Sequence, residues 1–201
     1  MTILENTPYD AIAEGQRAEL RRLCTADDFY AFAATTGNRN PLHLDDLDGD
    51  GDGVTEAVAP AAFLASLVSA VLGTHLPGAG TLLVSQEFRF LDRAMAGDEV
   101  IARVEVVERS ADGTVRLAAE VVRPEQEGQT ASRLLEGMVT VRPPAAPLSL
   151  DAHALPGLIV QRHRHFDALL DRAAPLAPIP TAVVAPEEPK SLAGAVLARS
   201  H

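Results

Sequence analysis

The sequence is poor in several features that define whole classes of protein. Its 201 residues include a single cysteine, Cys24, so no disulfide can form within the chain. No apolar run reaches the roughly 18 residues that a membrane span requires. The N-terminal residues lack the basic patch and apolar stretch of a secretory signal. These features predict a cytoplasmic protein without a membrane segment, and a buried structural role for the Cys24 thiol.

Basic charge is also scarce. The chain has one lysine, Lys190, and its 17 lysines and arginines are outnumbered by 28 aspartates and glutamates, which gives a formal net charge of −11. Because nucleic-acid phosphates bind to basic surfaces, this charge argues against nucleic acid as a partner. A small anionic ligand can still be held by a local group of arginines, and Arg39, Arg89 and Arg93 are the candidates by position.

A dense group of polar residues, Gly37-Asn38-Arg39-Asn40-Pro41-Leu42-His43, follows the first predicted helix. Thr25 predicts the N-cap of that helix, Phe29 and Phe32 repeat at helical spacing, and Gly37 predicts its end. A loop directly after a helix can aim side chains into a pocket. The residue types in this loop can hold a water molecule and deprotonate it, so the loop is the candidate site.

The next segment, residues 44–53, alternates aspartates with glycines and is similar to a calcium-binding loop that starts at Asp46 or Asp48. The glutamate that such a loop needs at its twelfth position is missing, because Ala57 or Ala59 stands there. This defect favours an acidic surface loop over a calcium site.

Residues 59–72 are apolar all round, which predicts a helix buried on every side, with Pro60 in its first turn and Gly73 ending it. A first edge strand is predicted before the site loop, and four longer strands with alternating polarity are predicted after the helix. These segments are 17–24, 82–91, 99–108, 114–123 and 132–142. One buried helix and long antiparallel strands that meander by hairpins form an α+β plan.

Several segments together resemble the MaoC-like, (R)-specific enoyl-CoA hydratase family. Besides the site loop, they are Ser69-Ala70-Val71-Leu72-Gly73, Leu76-Pro77-Gly78-Ala79-Gly80-Thr81, Gln86-Glu87-Phe88-Arg89-Phe90 and Ala96-Gly97-Asp98-Glu99-Val100. The resemblance implies an α+β hot-dog fold over residues 1–143, in which a curved antiparallel sheet wraps a long buried central helix.

The family resemblance also implies a reaction. It is the hydration of a trans-2-enoyl thioester to the (R)-3-hydroxyacyl thioester, or the reverse, without metal or redox cofactor. Acyl-CoA or an acyl-carrier thioester is the implied ligand, and a homodimer or higher even oligomer is the implied assembly. His43 falls on the family's catalytic histidine, Asn40 on its loop asparagine, and Ser69 on its helix serine near the pocket. The last two are implied substrate-binding residues. Ala61 carries the backbone N–H implied to support the enolate oxygen, and Arg39 is the candidate contact for an anionic group.

Two departures from the family pattern keep other functions open. Asn38 stands where the family has an aspartate, and an amide can orient water but cannot serve as a base. Pro60-Ala61 replaces the His-Gly pair that opens the family's central helix, and Pro60 has no N–H to donate. The alternatives are a non-catalytic module that binds acyl thioesters and a purely structural dimerisation domain.

The composition changes after Arg142. Residues 144–157 are predicted to form a linker rich in proline and alanine, and residues 158–201 a helical or irregular C-terminal extension. The extension is similar to the entry into the acyltransferase half of bifunctional enoyl-CoA hydratase/phosphate acetyltransferases, because Phe166-Asp167-Ala168-Leu169-Leu170 is followed by Pro180-Thr181-Ala182-Val183-Val184. The resemblance implies that a second domain would begin where this sequence stops.

Overall fold

The computed structural model describes residues 3–45, 47–125 and 130–151, which belong to one unit, Met1–Pro156. Its regular elements are β1 (Ile3–Glu5), β2 (Arg17–Leu23), α1 (Ala26–Thr36), α2 (Ala61–Thr74), β3 (Leu82–Phe90), β4 (Glu99–Arg109), β5 (Val115–Arg123), β6 (Ser132–Arg142) and β7 (Ser149–Asp151). Neither helix in this part of the chain has the length and apolarity needed to cross a membrane.

Helix α1 begins and ends at the predicted signals. The Thr25 hydroxyl accepts a hydrogen bond from the Asp28 N–H (3.2 Å), and the Asp28 carboxylate accepts one from the Thr25 N–H (3.1 Å), which completes a capping box. Gly37 ends the helix in the left-handed conformation, φ 77°, which glycine adopts without steric cost. Because Phe29 is fully buried, the helix is anchored in the core and the site loop starts from a fixed point.

The main sheet has five antiparallel strands in the order β2-β4-β5-β6-β3. Strands β4, β5 and β6 are neighbours along the chain and in the sheet, as the hairpin signals predict. The predicted meander is wrong for β3, which pairs with β6 at the far edge and not with β4. Three strand spacings, about 14 Å, separate β3 from β4, and the connection 91–98 is long enough to cross that distance.

The two faces of the sheet differ in polarity. The predicted inward row on β4, namely Val100, Ala102, Val104 and Val106, is buried, and α2 contacts β2, β3, β4 and β5 on this side. On the opposite face Arg103 forms ion pairs with Glu19 (3.0 Å) and Glu120 (3.4 Å). A helix packed on one face of an antiparallel sheet is the α+β hot-dog arrangement that the sequence predicts.

Helix α2 is buried on one side only, so the prediction of burial on every side is wrong for the single chain. The side that faces the sheet carries the large apolar residues Phe63, Leu64, Leu67, Val68, Val71 and Leu72, which are all buried. The other side carries small exposed residues, namely Ala61, Ala62, Ser66, Ser69 and Gly73. Because alanine, serine and glycine tolerate both water and close packing, the sequence pattern does not separate the two environments.

The ends of α2 also differ from the prediction. Pro60 is the N-cap and the helix begins at Ala61, so the proline lies just before the first turn. Gly73 does not end the helix, which continues to Thr74 and closes with a hydrogen bond from the His75 N–H to Val71 O (2.9 Å). Glycine lowers the stability of a helix by about 1 kcal/mol relative to alanine but does not forbid it.

A second, two-stranded sheet joins the two ends of this unit. Strand β1 pairs with β7, which lies inside the predicted linker 144–157. The Asn6 side chain adds to this junction, because its carbonyl oxygen accepts a hydrogen bond from the Leu148 N–H (2.8 Å). Residues 152–157 and the predicted extension 158–201 lie outside the described residues.

Candidate active site

The site loop is shaped by two asparagines that bond to the backbone just ahead of them. Asn38 Oδ1 accepts a hydrogen bond from the Asn40 N–H, and Asn40 Oδ1 accepts one from the Leu42 N–H, both at 3.2 Å. Such local bonds are typical of asparagine in turns. They lead into a single turn of 3₁₀-helix, Pro41–His43, which carries the His43 side chain into the protein. Of the loop residues from 37 to 43, His43 is the one that is buried.

His43 is held by a backbone carbonyl. Its Nδ1 atom lies 2.7 Å from the carbonyl oxygen of Val58. A carbonyl oxygen can only accept, so Nδ1 carries a proton and donates it in this bond. In the neutral imidazole, Nε2 is then the nitrogen with the free lone pair. No hydrogen bond among the described residues uses Nε2, so this atom is available to accept a proton from water.

The segment that carries this carbonyl is fixed on both sides. The Val58 N–H donates to Leu42 O (2.9 Å), which ties the segment to the site loop. One residue before and one residue after Val58, the backbone bonds to the connection between β3 and β4: the Ala96 N–H donates to Ala57 O (2.9 Å) and the Ala59 N–H donates to Ala94 O (2.8 Å). Val58 itself forms an antiparallel bridge with Met95.

Helix α2 begins three residues after Val58, so its N-terminus lies near His43. Three residues of extended chain span at most roughly 10 Å. Pro60 offers no capping side chain, and none of the hydrogen bonds among the described residues uses the N–H of Ala61 or Ala62. Ala61 and Ala62 are exposed, and their N–H groups, together with the positive end of the helix dipole, form a place where a developing negative charge is stabilised.

The remaining predicted site residues are arranged less closely. Asn38, Arg39 and Asn40 are exposed on the loop, and Arg39 forms no ion pair within the described residues. Ser69 lies on the exposed side of α2, two turns beyond Ala61 and roughly 12 Å along the helix axis. Its hydroxyl makes no hydrogen bond among the described residues. The structure therefore brings the loop and the start of α2 together, while Ser69 lies farther along the helix.

A cavity in the described part of the chain lies away from these residues. It measures about 1030 Å³ and is found on the charged face of the main sheet, between residues such as Arg89, Arg103 and Glu120. None of the predicted catalytic or substrate-binding residues lines it. Of the three arginines singled out by position, Arg89 borders this cavity and Arg93 forms an ion pair with Asp50 (3.7 Å).

The acidic loop brings three carboxylates together. Those of Asp48, Asp50 and Asp52 lie within 4.8 Å of one another, and all three residues are exposed. Asp48 already accepts hydrogen bonds from the N–H groups of Gly51 (2.7 Å) and Gly53 (3.0 Å). No glutamate joins this group among the described residues, and Asp46 lies outside them, so the choice between a surface loop and a calcium site stays a prediction.

Comparison with known proteins identifies the family. The model of the MaoC like domain matches residues 8–131. A 3-hydroxybutyryl-CoA dehydratase of Methylorubrum extorquens is 35% identical over 100 residues, which cover 50% of this chain and 64% of that protein. An (R)-specific enoyl-CoA hydratase of Aeromonas caviae is 39% identical over 92 residues, which cover 46% of this chain and 69% of that protein.

A solved structure agrees with these matches over a longer region. The unliganded R-hydratase PhaJ1 from Pseudomonas aeruginosa superimposes with a TM-score of 0.69 at 31% sequence identity, and the alignment covers 79% of this chain and 99% of that one. The chain spans just under two thirds of the Methylorubrum dehydratase and nearly all of the Pseudomonas hydratase. The helix-and-sheet architecture, the loop with its buried histidine and these matches together show that the chain belongs to the MaoC-like domain family.

Proposed function

We propose that this protein adds water to the double bond of a trans-2-enoyl thioester to give the (R)-3-hydroxyacyl thioester, and catalyses the reverse dehydration. The observation that carries the proposal is the 2.7 Å bond from His43 Nδ1 to Val58 O, because it leaves Nε2 as the proton-accepting nitrogen. The relatives named 3-hydroxybutyryl-CoA dehydratase and (R)-specific enoyl-CoA hydratase support the same chemistry and give the configuration of the product.

In the proposed reaction, His43 Nε2 takes a proton from a water molecule as the water oxygen bonds to the β-carbon. The π electrons of the double bond move toward the thioester carbonyl, whose oxygen becomes an enolate. An N–H group at the start of α2, that of Ala61 by position, donates a hydrogen bond to this oxygen. The His43 imidazolium then delivers the proton to the α-carbon, so the product gains one water and the imidazole returns to its neutral form.

The other loop residues have supporting roles in the proposal. Asn38 orients the water through its side-chain amide but does not take a proton, so His43 acts as the only base. Asn40 keeps the loop in shape through its bond to the Leu42 N–H. The exposed Arg39 guanidinium is the proposed contact for an anionic group of acyl-CoA or of an acyl-carrier thioester. Ser69 is proposed to border the acyl chain along α2.

The proposed reaction changes no oxidation state, and acid–base catalysis with hydrogen bonding accounts for each step. We therefore propose that it proceeds without a redox cofactor or a metal ion. A cytoplasmic location also remains part of the proposal.

We further propose that two copies of the chain pair through β3, with a higher even oligomer as the alternative. Strand β3 is at the edge of the main sheet, so one row of its backbone N–H and C=O groups has no strand beside it among the described residues. Large apolar side chains on and beside it are exposed, namely Leu82, Leu83, Val84, Phe90 and Leu91. A long edge strand with exposed apolar residues favours pairing with another strand.

The test is hydration of crotonyl-CoA, followed by the loss of ultraviolet absorbance of the conjugated thioester and by chiral analysis of the product. His43→Ala is expected to lower kcat by about 10²–10⁴-fold, the range that a general acid–base group supplies. His75→Ala is the matched control, because it removes an exposed histidine beyond α2 and is expected to leave the rate unchanged.

Two other outcomes contradict the proposal. If the wild-type protein does not turn over crotonyl-CoA but its melting temperature rises with the thioester, the protein is a non-catalytic binding module. If neither turnover nor a melting shift is seen, the hypothesis of a purely structural dimerisation domain replaces the proposal.

A further inference from the structure

Asp98, at the end of the connection that bonds to the Val58 segment, is buried and forms an ion pair with Arg123. Asp98 is 3% exposed, and its Oδ2 atom accepts hydrogen bonds from the Met95 N–H (2.9 Å) and from Arg123 Nη1 (3.1 Å). The same guanidinium nitrogen also donates to Arg93 O (3.2 Å). This arrangement closes the turn formed by residues 94–98, which we call the 94–98 turn. Gly97 allows the turn, because its φ of 100° lies in a region that other residues rarely adopt.

The 94–98 turn is also held from its other side by the strand β2 end. The Cys24 N–H donates to Asp98 O and the Gly97 N–H donates to Cys24 O, both at 2.8 Å. These backbone bonds anchor one end of the turn, at residues 97 and 98, whereas the Asp98 carboxylate bonds to the Met95 N–H nearer its other end. The Asp98 carboxylate therefore closes a turn that is already bonded, at residues 97 and 98, to the buried residue Cys24.

The closed 94–98 turn fixes the backbone around Val58. It supplies Ala94 O to the Ala59 N–H and the Ala96 N–H to Ala57 O, one bond on each side of the carbonyl that His43 uses. The Met95 N–H, which donates a hydrogen bond to the Asp98 carboxylate, lies between these two points of attachment. A shift of the turn must therefore move the Val58 carbonyl, and with it the acceptor of the His43 Nδ1 proton.

We propose that Asp98 is a positioning residue for His43: it closes the 94–98 turn, the turn holds Val58, and the Val58 carbonyl fixes which imidazole nitrogen carries the proton. The expected effect of Asp98 on the reaction rate rests on the proposed function, whereas its effect on which imidazole nitrogen of His43 is protonated does not. Asp98 touches no reacting atom in this scheme. Its removal loosens the Nδ1–H bond, so Nε2 is protonated in part of the molecules and cannot accept a proton from water.

The test measures the protonated nitrogen of His43 directly. The ¹⁵N shifts of the imidazole distinguish the two neutral forms in alkaline solution, and the missing signals of His43→Gln assign this residue among the six histidines. The wild-type protein is expected to hold the Nδ1–H form. Asp98→Asn keeps an oxygen for the Met95 N–H but loses the charge that pairs with Arg123, and is expected to show a mixture of both forms. Arg123→Gln is the second variant and is expected to shift the mixture in the same direction.

The control is a core variant that destabilises the fold without touching this chain of contacts. Leu117→Ala, on the buried face of β5, serves for this purpose. A mixture in Asp98→Asn with the Nδ1–H form retained in Leu117→Ala supports the proposal. The Nδ1–H form in both Asp98→Asn and Arg123→Gln, or the same mixture in Leu117→Ala, overturns it.

Kinetics add a second readout. With crotonyl-CoA, Asp98→Asn is expected to lower kcat about 10–100-fold with little change in KM, because misplacing a catalytic group costs rate and not substrate contacts. A rise in KM at unchanged kcat overturns the positioning role. If the wild-type protein does not hydrate crotonyl-CoA while the imidazole still responds to Asp98→Asn, the proposed function fails and the positioning of His43 stands.

Discussion

Asn38 and Asn40 are joined by a 3.2 Å hydrogen bond from the Asn40 N–H to the Asn38 side-chain oxygen. An aspartate at position 38 can accept the same bond with one carboxylate oxygen and present the other to a water molecule. We therefore expect Asn38→Asp to keep the loop conformation and to hydrate crotonyl-CoA at least tenfold faster than the wild type, within the roughly 10²–10⁴-fold of an acid–base group. Initial rates under identical conditions measure the gain.

The control for this change is Asn40→Asp, which adds the same charge at the neighbouring asparagine of the loop. Its side chain accepts a hydrogen bond from the Leu42 N–H, so an aspartate is tolerated there as well. No gain is expected, since the proposal gives Asn40 a structural role. Equal acceleration by the two variants, or a slower rate for Asn38→Asp, contradicts the role of residue 38 in orienting water.

The edge strand β3 gives a prediction about assembly. Val84 is 56% exposed and lies at an irregularity in the pairing of β3 with β6. A lysine at an edge strand opposes pairing with a second strand. Val84→Lys is expected to weaken the dimer at least tenfold in dissociation constant, which corresponds to about 1.4 kcal/mol. Sedimentation velocity over a range of protein concentrations measures this change.

Val107→Lys is a matched control for the assembly prediction. Val107 is 42% exposed and lies at a similar irregularity, but it belongs to β4, which has strands on both sides. This variant is expected to sediment as the wild type does. A monomeric wild-type protein, or an unchanged dimer in Val84→Lys, shows that β3 is not the contact.

Cys24 is expected to resist alkylation in the folded protein. Burial, with the nearby carboxylates of Asp98 and Asp28, raises the pKa of its thiol to about 12. At pH 8 the thiolate is then only about 10⁻⁴ of the total, and the thiolate is the form that reacts. Mass spectrometry after iodoacetamide treatment should find Cys24 unmodified in the native protein and modified in denaturant.

An added exposed thiol provides the comparison for this experiment. Ala111→Cys places a second cysteine on the exposed hairpin turn between β4 and β5. This variant should take up one label under native conditions. Rapid native labelling of Cys24 itself shows that the β2 end opens to solvent.

The sequence predicts those parts of the fold in which side-chain environment alternates with a fixed period. The row from Val100 to Val106 is recognisable as the buried face of β4 because the charged residues Arg103 and Glu105 belong to the opposite row. Ile101 also belongs to the opposite row but is buried, at 2% exposure. The pairing of β3 with β6 is not predicted, because the turn residues Gly97-Asp98 indicate that the chain changes direction but not which strand lies beside β3. The exposed side of α2 is not predicted either, since Ser66 and Gly73 also occur in buried helices.

In the candidate site, the side chains that act can be predicted from the sequence, but the backbone groups that hold them cannot. His43 and Asn38 are recognisable because few residue types can deprotonate a water molecule or orient it by a hydrogen bond. The acceptor for His43 is the carbonyl of Val58, and every residue has such a carbonyl, so no sequence signal points to it. Asp98 belongs to a segment that resembles the family, but only its contacts in three dimensions connect it with His43.

The capping box at the start of α1 gives a prediction about acid stability. Burial raises the pKa of Asp28, but the hydrogen bond from Thr25 and the ion pair with Arg22 outweigh it, so the pKa lies below its ordinary value. A carboxyl whose pKa is lower in the folded state than in the unfolded state stabilises the fold at any pH above its unfolded-state pKa. This contribution is lost as the pH falls through the folded-state pKa. Asp28→Asn should therefore destabilise the protein more at pH 7 than near pH 3.

Urea unfolding at the two pH values measures this difference. At pH 7, Thr25→Ala should lower the free energy of unfolding by about 1 kcal/mol, the usual cost of losing an N-cap side chain. Asp10→Asn, a change at an exposed acid outside α1, serves as the comparison and should have a similar small effect at both pH values. An equal loss for Asp28→Asn at pH 7 and at pH 3 contradicts a stabilising role for the ionised carboxylate. Because α1 delivers the chain to Gly37 and the site loop, loss of this cap is also expected to reduce the order of the loop that carries His43.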